Sequence, residues 1–211
     1  MQLYDCHIAP NPRRARMFLA EKGIVLPKVE VDILGGANLE PAFLAINPRG
    51  LLPVLELDDG TRFDEVMAIC RYFEALQPTP PLLGRTPLEM AIVEQRQRKM
   101  EFEGMIAGSE VLRNQHPNFA QRSLPGGGGD AIPAIPALVE RGRQTLARFF
   151  HWLETYLGEA EFVAGELFTM ADITAFCAVE FAGWADIRIP PDNTRSLAWH
   201  AKVAARPSAQ A

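Results

Sequence analysis

The stretch NPRGLLPVLELDDGTRFDEVMAICRYFE, residues 47–74, predicts two short strands joined by a tight turn. Pro53 precedes an apolar run, Val54 to Leu57, which has the length and composition of a strand. Asp59-Gly60 is a favoured pair for a two-residue hairpin turn, and Thr61 to Phe63 supply the returning strand. The first half of the stretch is therefore predicted to be a β-hairpin entered through a proline.

The second half of the stretch predicts a helix with an acidic start. Apolar residues recur there at helical spacing, at Met67, Ile69, Cys70 and Phe73. Asp64 and Glu65 come directly before them, beside the positive end of the helix dipole. A carboxylate at this place can cap the helix or meet a cationic ligand, and the sequence leaves both interpretations open.

The rest of the chain falls into two regimes. Residues 1–76 predict a βαβ unit followed by this ββα unit, with strands over Gln2 to Tyr4 and Val25 to Val31 and a helix over Arg13 to Lys22. Gln77 to Pro87 is rich in proline and reads as a linker. Helical periodicity then covers Leu88 to Asn114, Ile135 to Leu157, Met170 to Trp184 and Leu197 to Ala205. We expect an α/β domain over 1–76, a linker over 77–87 and an all-α domain over 88–211.

One loop of the helical region is rich in glycine. Ser123 to Pro136 contains four consecutive glycines, Gly126 to Gly129, and is predicted to be a mobile loop. These glycines do not form a phosphate cradle, because no strand precedes them and no Lys-Ser/Thr pair follows.

Composition excludes several classes of protein. A chain of 211 residues with 48% hydrophobic content can bury a substantial core, and a net charge of -5 with scattered Lys and Arg argues against nucleic acid. No apolar run approaches the roughly 20 residues of a membrane span, and the first residues lack a secretory pattern. Cys6, Cys70 and Cys177 are far apart, without metal-ligand spacing. We expect a cytoplasmic protein with no metal, membrane or nucleic-acid partner.

Three segments together resemble the cytosolic glutathione transferase family. The hairpin stretch is similar to its glutathione-binding half. GELFTMADITAF, residues 165–176, resembles its helical-domain capping signature, with Thr169 and Asp172 as a capping box and Phe168 and Ile173 as a hydrophobic staple. LAWHAKVAARPS, near the C-terminus, resembles its last helix. The resemblance implies a thioredoxin-like first domain, glutathione as co-substrate and a homodimer.

The resemblance places glutathione on the hairpin. In the family, the proline before the strand follows a cis peptide bond, which turns the N–H and C=O of the preceding residue outward, where an extended peptide can pair with them. In this chain the two residues are Leu52 and Pro53. The alternative is that Leu52-Pro53 is a trans bond that merely leads into an edge strand. Glu65 would pair with the γ-glutamyl ammonium, and the N–H of Val66 would receive its carboxylate. The chain departs from the family at Val66, which replaces a serine, and at Leu51, which replaces a lysine that contacts the glycine carboxylate.

The resemblance places the chemistry at the start of the first helix, in YDCHIAPNPRRAR, residues 4–16. Ala9 stands where most serine- and cysteine-type members carry a hydroxyl or thiol. Asn11 matches the asparagine of the Thr-Pro-Asn pattern in nu-like bacterial members, so we expect its amide to donate to the glutathione sulfur; before Pro12 it also fits a helix N-cap. The backbone N–H of Ala9 or Cys6 is a further candidate donor. The Cys6 thiol is itself a candidate for a mixed disulfide, with a buried strand-end thiol as the favoured alternative.

A site of this kind has to stabilise a thiolate. Lowering a thiol pKa from about 8.5 by about 2 units requires about 2.7 kcal/mol in favour of the anion. A helix N-terminus supplies about 0.3 to 2 kcal/mol, and each charge-assisted donor supplies about 1.5 to 3 kcal/mol. One well-placed donor can therefore complete the activation.

The other polar residues near the first helix have structural interpretations. Arg13, Arg14 and Arg16 point in different directions on a helix, so solvated surface is expected. The sequence identifies no Asp or Glu that would orient His7 as an acid or base. Tyr4 lies within the first strand and is expected in the core.

The resemblance also implies a dimer interface along the helix that starts at Leu88, and a pocket for a second substrate between the domains. The candidates for that pocket are Met105, Leu112 and Trp184, although large apolar residues at helical spacing are more often plain core.

Three classes of function follow. The leading one is a glutathione transferase that adds the thiolate to a small electrophile or reduces a peroxide or disulfide. A second is a non-catalytic binding or regulatory relative, which Ala9, Leu51 and Val66 favour. A third is a glutaredoxin-like oxidoreductase that uses Cys6.

Overall fold

Four short strands form one mixed sheet in the first half of the chain. They are β1 (Gln2–Asp5), β2 (Lys28–Glu30), β3 (Val54–Glu56) and β4 (Arg62–Asp64). The computed structural model describes residues 1–211 and gives the order β2-β1-β3-β4, with β1 parallel to β2 and the other neighbours antiparallel. The predicted hairpin and the thioredoxin-like succession of elements are confirmed.

Three α-helices accompany this sheet: α1 (Pro10–Glu21), α2 (Pro41–Leu44) and α3 (Val66–Leu76). α1 begins earlier than the predicted Arg13, because Pro10 suits the first helical position, where its missing N–H has no partner to lose. The sequence predicts no helix at α2. Four residues are too few for a periodic pattern, and the one local signal is Pro41 at the first position.

The sheet and two of these helices share a core. Phe18 of α1, Leu55 of β3 and Ile69 of α3 have no exposed surface. At about 1.5 to 3 kcal/mol for each fully buried side chain of this size, such contacts hold the layers together. The hydrophobic spacing that predicted α3 is thus the spacing of its buried face.

The second half of the chain is helical, as predicted. Its elements are α4 (Pro87–Met100), a π-helical turn (Glu101–Ile106), α5 (Ala107–Gln115), α6 (Pro136–Tyr156), α7 (Met170–Gly183) and α8 (Thr194–Ala204). The single helix expected from Leu88 to Asn114 is therefore present, with the π turn in its middle. None of these helices combines the length and apolar character that crossing a membrane requires.

α7 runs through the centre of the helical half. Twelve of its residues are buried, and the π turn approaches it closely at Gly104, where an added Cβ would lie 2.7 Å from the Cβ of Ala178. Only glycine permits this separation. The π turn is therefore pressed against the central helix.

The two halves share one apolar core. Phe18 of α1 and Phe176 of α7 belong to the same continuous cluster of 36 buried residues. The sheet-containing half ends with α3 at Leu76, and the helical half begins with α4 at Pro87. We propose that 1–76 and 88–211 are the two domains, with 77–87 as their linker.

The predicted capping box opens α7. The side chain of Thr169 accepts a backbone hydrogen bond at the helix start, and Asp172 accepts the backbone N–H of Thr169 at 3.0 Å. Asp172 is fully buried and also accepts hydrogen bonds from the backbone N–H of Val163 and the indole of Trp199, both at 2.9 Å. One carboxylate thus ties α8 and the preceding loop to the start of α7.

Replacing Asp172 tests this role. Asp172→Ala leaves several buried donors without an acceptor, so it should lower the free energy of unfolding by about 3 kcal/mol or more. Glu166→Ala, at an exposed acid in the same motif, should change it by less than about 0.5 kcal/mol. Urea denaturation measures both, and a loss below about 1 kcal/mol for Asp172→Ala would contradict the assignment.

Candidate active site

Leu52-Pro53 and Glu65-Val66 lie at the same end of the hairpin, because Val54 pairs with Asp64 in the register of β3 and β4. We call the surface that Leu52, Pro53, Glu65 and Val66 form the hairpin groove. The Leu52-Pro53 bond is cis, so the trans alternative is wrong. The N–H and C=O of Leu52 form no hydrogen bond within the chain. The groove therefore offers one unpaired backbone hydrogen-bond donor and one unpaired backbone acceptor to an extended peptide.

Asn47 braces the loop that leads into the groove. Its buried side-chain amide donates to the carbonyl of Leu51 at 3.0 Å and to the carboxylate of Asp64 at 3.1 Å, and its oxygen accepts the N–H of Arg49 at 3.1 Å. No local pattern predicts this role, beyond an Asn-Pro pair at the start of the motif. A side chain that satisfies three groups fixes where the groove begins.

Glu65 projects from the groove in a strained backbone conformation. It is the N-cap residue of α3, with φ 66°, a region that residues other than glycine rarely adopt. Its side chain forms no capping hydrogen bond, and Asp64 is occupied by Asn47. The interpretation that Asp64 or Glu65 merely caps α3 is therefore wrong. Strain of this kind collects at ligand sites.

Val66 is the first residue of α3 and contributes through its main chain. Its side chain is only 4% exposed and packs in the main core. The carbonyl of Glu65 accepts the N–H groups of Ala68 and Ile69. The N–H groups of Val66 and Met67 come before these first helical hydrogen bonds and have no acceptor within the helix. They lie at the positive end of the helix, which favours anions.

Arg49 stands at the rim of the groove. Its Nη1 lies 3.7 Å from a Glu65 carboxylate oxygen, and both side chains are more than half exposed. The glycine loop reaches this rim from the helical half: a Cβ added to Gly126 would lie 3.1 Å from the Nη2 of Arg49 and 3.4 Å from a methyl carbon of Leu51. The loop predicted to be mobile thus borders the groove.

The start of α1 differs from the predicted one. Ala9 is the N-cap residue and Pro10 the first helical residue, so Asn11 is the second residue of the helix and its assignment as N-cap is wrong. Asn11 is exposed, and its side-chain oxygen accepts a hydrogen bond from Nη1 of Arg14 at 2.9 Å. Its amide nitrogen donates to no group of the chain. The donor end of the amide is therefore free.

Ala9 and the side chain of Cys6 have structural roles, whereas the backbone N–H of Cys6 donates to no group of the chain and remains a candidate donor. The N–H of Ala9 donates to the carbonyl of Cys6 at 2.9 Å, so the expectation that this N–H serves a thiolate is wrong. The thiol of Cys6 is 1% exposed, in an apolar cluster that also contains Ala9 and Leu52. The cluster places the start of α1 against the base of the hairpin groove, and Cys6 fits the buried strand-end thiol rather than a thiol open to a disulfide.

The other two thiols are inert as well. Cys70 and Cys177 are fully buried, and burial raises the pKa of Cys70 to about 12 and that of Cys177 to about 11. Because the thiolate is the reactive form, neither side chain acts as a nucleophile near neutral pH.

The basic residues of α1 are not solvated surface, and that expectation is wrong. Arg14 is 1% exposed, and Arg16 is 6% exposed and lies 2.6 Å from the buried carboxylate of Asp5. His7 does have a carboxylate partner: its Nδ1 lies 2.8 Å from Glu30 at the end of β2. The sequence could not reveal that pair, because strand pairing brings together residues 23 positions apart.

The pocket expected between the domains is partly assembled. Leu112, Phe119 and Phe181 form a separate buried cluster against Ile33 of the first half. Trp184 is half exposed and meets Phe181 edge to face, with ring centres 5.5 Å apart. Leu112 and Trp184 therefore converge on Phe181. Met105 does not join them, because it lies in the main core.

Comparison with known sequences identifies the family of both halves of the chain. Residues 8–76 match the sequence family described as glutathione S-transferase, N-terminal domain, and residues 136–201 match glutathione S-transferase, C-terminal domain. The chain belongs to the glutathione S-transferase family. Membership makes it a glutathione-dependent transferase with the two-part fold described above.

Individual relatives of this glutathione S-transferase cover nearly its whole length. Glutathione S-transferase 2 of Saccharomyces cerevisiae is 33% identical over 215 residues, which cover 99% of this chain and 87% of that protein. The crystal structure of Gtt2 from Saccharomyces cerevisiae, 33% identical, superposes with a TM-score of 0.90 over 99% of this chain and 98% of that one. The crystal structure of a glutathione S-transferase domain-containing protein from Marinobacter aquaeolei VT8 is 36% identical, with a TM-score of 0.88 over 99% of each chain.

Proposed function

We propose that glutathione lies in the hairpin groove with its cysteinyl main chain paired to Leu52, and that its thiolate attacks a small electrophile from the cleft above α1. The observation that carries this proposal is the unused N–H and C=O of Leu52, a residue only 7% exposed. Unpaired backbone groups at so buried a position are rare in folded proteins. An extended peptide such as glutathione supplies both missing partners.

The γ-glutamyl end of glutathione fits the other side of the groove. Its ammonium is the natural partner of Glu65, whose only ion pair is a loose and exposed contact with Arg49. Its carboxylate fits the free N–H groups at the start of α3, where the helix dipole favours negative charge. Since Val66 has no hydroxyl, this carboxylate is held by main chain alone.

Removing Glu65 tests the γ-glutamyl contact. Glu65→Ala should weaken glutathione binding by about 2 kcal/mol, a factor of about 30, because a charge-assisted contact is lost. Glu140→Ala, at an exposed acid on α6, should leave the affinity unchanged. Calorimetric titration measures both, and equal affinities of wild type and Glu65→Ala would remove Glu65 from the site.

The sulfur then lies near the start of α1, where we propose Asn11 as the donor that activates it. Its amide nitrogen is exposed and unpaired, and Asn11 belongs to the first turn of a helix whose N-cap residue, Ala9, packs in the same apolar cluster as Leu52 of the groove. Ala9 brings no hydroxyl, and its N–H is already used. One amide donor and the helix N-terminus together reach the order of magnitude that thiol ionisation requires.

Two substitutions at Asn11 separate activation from folding. Asn11→Ala should raise the pKa of the bound thiol by about 1 pH unit, while costing at most about 1 kcal/mol of stability, since Asn11 is not the N-cap. Asn11→Asp should raise that pKa further, because it places a negative charge beside the thiolate. Thiolate absorbance of bound glutathione against pH measures the effect. A wild-type thiol pKa in Asn11→Asp would show that Asn11 does not face the sulfur.

The buried thiols favour chemistry by glutathione rather than by the protein. Cys6→Ser should therefore keep conjugation of chloronitrobenzene at the wild-type rate, and any reduction of a peroxide or of hydroxyethyl disulfide should persist as well. Loss of the disulfide activity alone in Cys6→Ser would favour a glutaredoxin-like mechanism. Three free cysteines are also consistent with the cytoplasmic setting that we propose.

We also propose that two copies of the chain associate along α4 and the π turn that follows it. Exposed apolar side chains recur there on one side, at Leu88, Ile92, Phe102 and Ile106. A row of this kind on a folded surface marks an interface, and the family resemblance makes a second copy the partner. Sedimentation should give twice the chain mass of 23.4 kDa, and a single-chain mass would contradict the association.

A further inference from the structure

Arg14 carries a buried charge at the contact between the two halves of the chain. Its side chain is 1% exposed, and burial of a charge is costly unless it is paired. Nη1 lies 3.0 Å from Glu101, the first residue of the π turn, and Nε donates to the hydroxyl of Thr174 on α7 at 3.3 Å. The position of Arg14 is therefore set by two elements of the helical half.

The same nitrogen that meets Glu101 also reaches the proposed active site. Nη1 of Arg14 donates to the side-chain oxygen of Asn11 at 2.9 Å. One of its two hydrogens can serve Glu101 while the other serves Asn11. Nη2 is buried without a partner, so the guanidinium is held through Nη1 and Nε rather than in a fully satisfied pocket.

The bond to Asn11 decides which end of that amide faces the groove. The oxygen and nitrogen of an asparagine side chain are nearly equal in size, and rotation about the last side-chain bond exchanges them. A free rotor would present the oxygen part of the time, and its partial negative charge repels a thiolate. A donor fixed beneath the oxygen keeps the nitrogen outward.

We infer that Arg14 is a positioning residue for thiol activation: anchored by Glu101 of the π turn, it holds the Asn11 amide with its nitrogen directed at the glutathione sulfur. The inference rests on the proposed role of Asn11 as thiolate donor. It also explains why a cation is buried here. The helical half, through Glu101, sets the geometry of a donor that belongs to the sheet-containing half.

Arg14→Lys tests the inference, because lysine keeps the charge beside Glu101 but is too short and compact to bridge both partners. The pKa of the bound glutathione thiol should rise by about 1 pH unit, a tenfold loss of thiolate below that pKa. The affinity for S-methylglutathione, which has no thiol to ionise, should stay within about twofold of wild type. A folded Arg14→Lys that binds S-methylglutathione normally and keeps the wild-type thiol pKa would overturn the inference.

Two controls isolate the contact with Asn11. Thr174→Val removes the partner of Nε but leaves the Nη1 bridge, so the thiol pKa should stay at its wild-type value. In an Asn11→Ala background, Arg14→Lys should cause no further rise, because the two residues act in series. Full additivity of the two pKa changes would mean that Arg14 acts on the sulfur without Asn11, and would overturn the inference.

A measurement on the unaltered protein covers the case in which Arg14→Lys does not fold. In the wild type without glutathione, the side-chain amide of Asn11 should have a nitrogen-15 order parameter of about 0.8, as for a rigid group. A value below about 0.6 would overturn the inference. The Asn11→Ala spectrum assigns the signal. If wild-type protein binds glutathione with an unshifted thiol pKa, the proposed activation fails, whatever the mobility of Asn11.

Discussion

Buried charges on α1 must be neutralised, and the way this is done positions the helix that the site depends on. Each of three basic residues of α1 and its end has a carboxylate partner on a different element. The pairs are Arg14 with Glu101 of the π turn, Arg16 with Asp5 of β1, and Lys22 with Glu74 of α3. Breaking one such pair would leave an uncompensated buried charge, which costs about 3 to 5 kcal/mol. The start of α1 is therefore held against both halves of the chain.

The fold could be predicted where its signals are local. The Asp59-Gly60 turn, the apolar face of α3 and the capping box at Thr169 each depend on residues a few positions apart, and the structure has all three. Features that depend on distant residues were missed. The burial of Arg14 needs Glu101, 87 positions away, and the orientation of His7 needs Glu30 across the sheet. Periodicity carries no information about such partners.

The candidate site also combines features that local sequence signals predicted with features that they did not. The hairpin motif gave the positions of Leu52 and Glu65, since both are fixed by the turn and by the strand register. The start of α1 was misplaced, because two prolines two residues apart both suit the first turn, and Pro10 rather than Pro12 is the first helical residue. This shift removes Asn11 from the cap. The amide oxygen of Asn11 accepts from Arg14 and the amide nitrogen has no partner in the chain, so the capping interpretation is excluded and the role of thiolate donor is the one that we propose.

A crystal structure of the complex with glutathione tests the central claim most directly. The account predicts that the cysteinyl main chain pairs with the N–H and C=O of Leu52, and that the sulfur lies within about 3.5 Å of the Asn11 amide nitrogen, whose oxygen still accepts from Arg14. A glutathione bound elsewhere on the chain, or one whose sulfur faces His7 with Asn11 turned away, would contradict it.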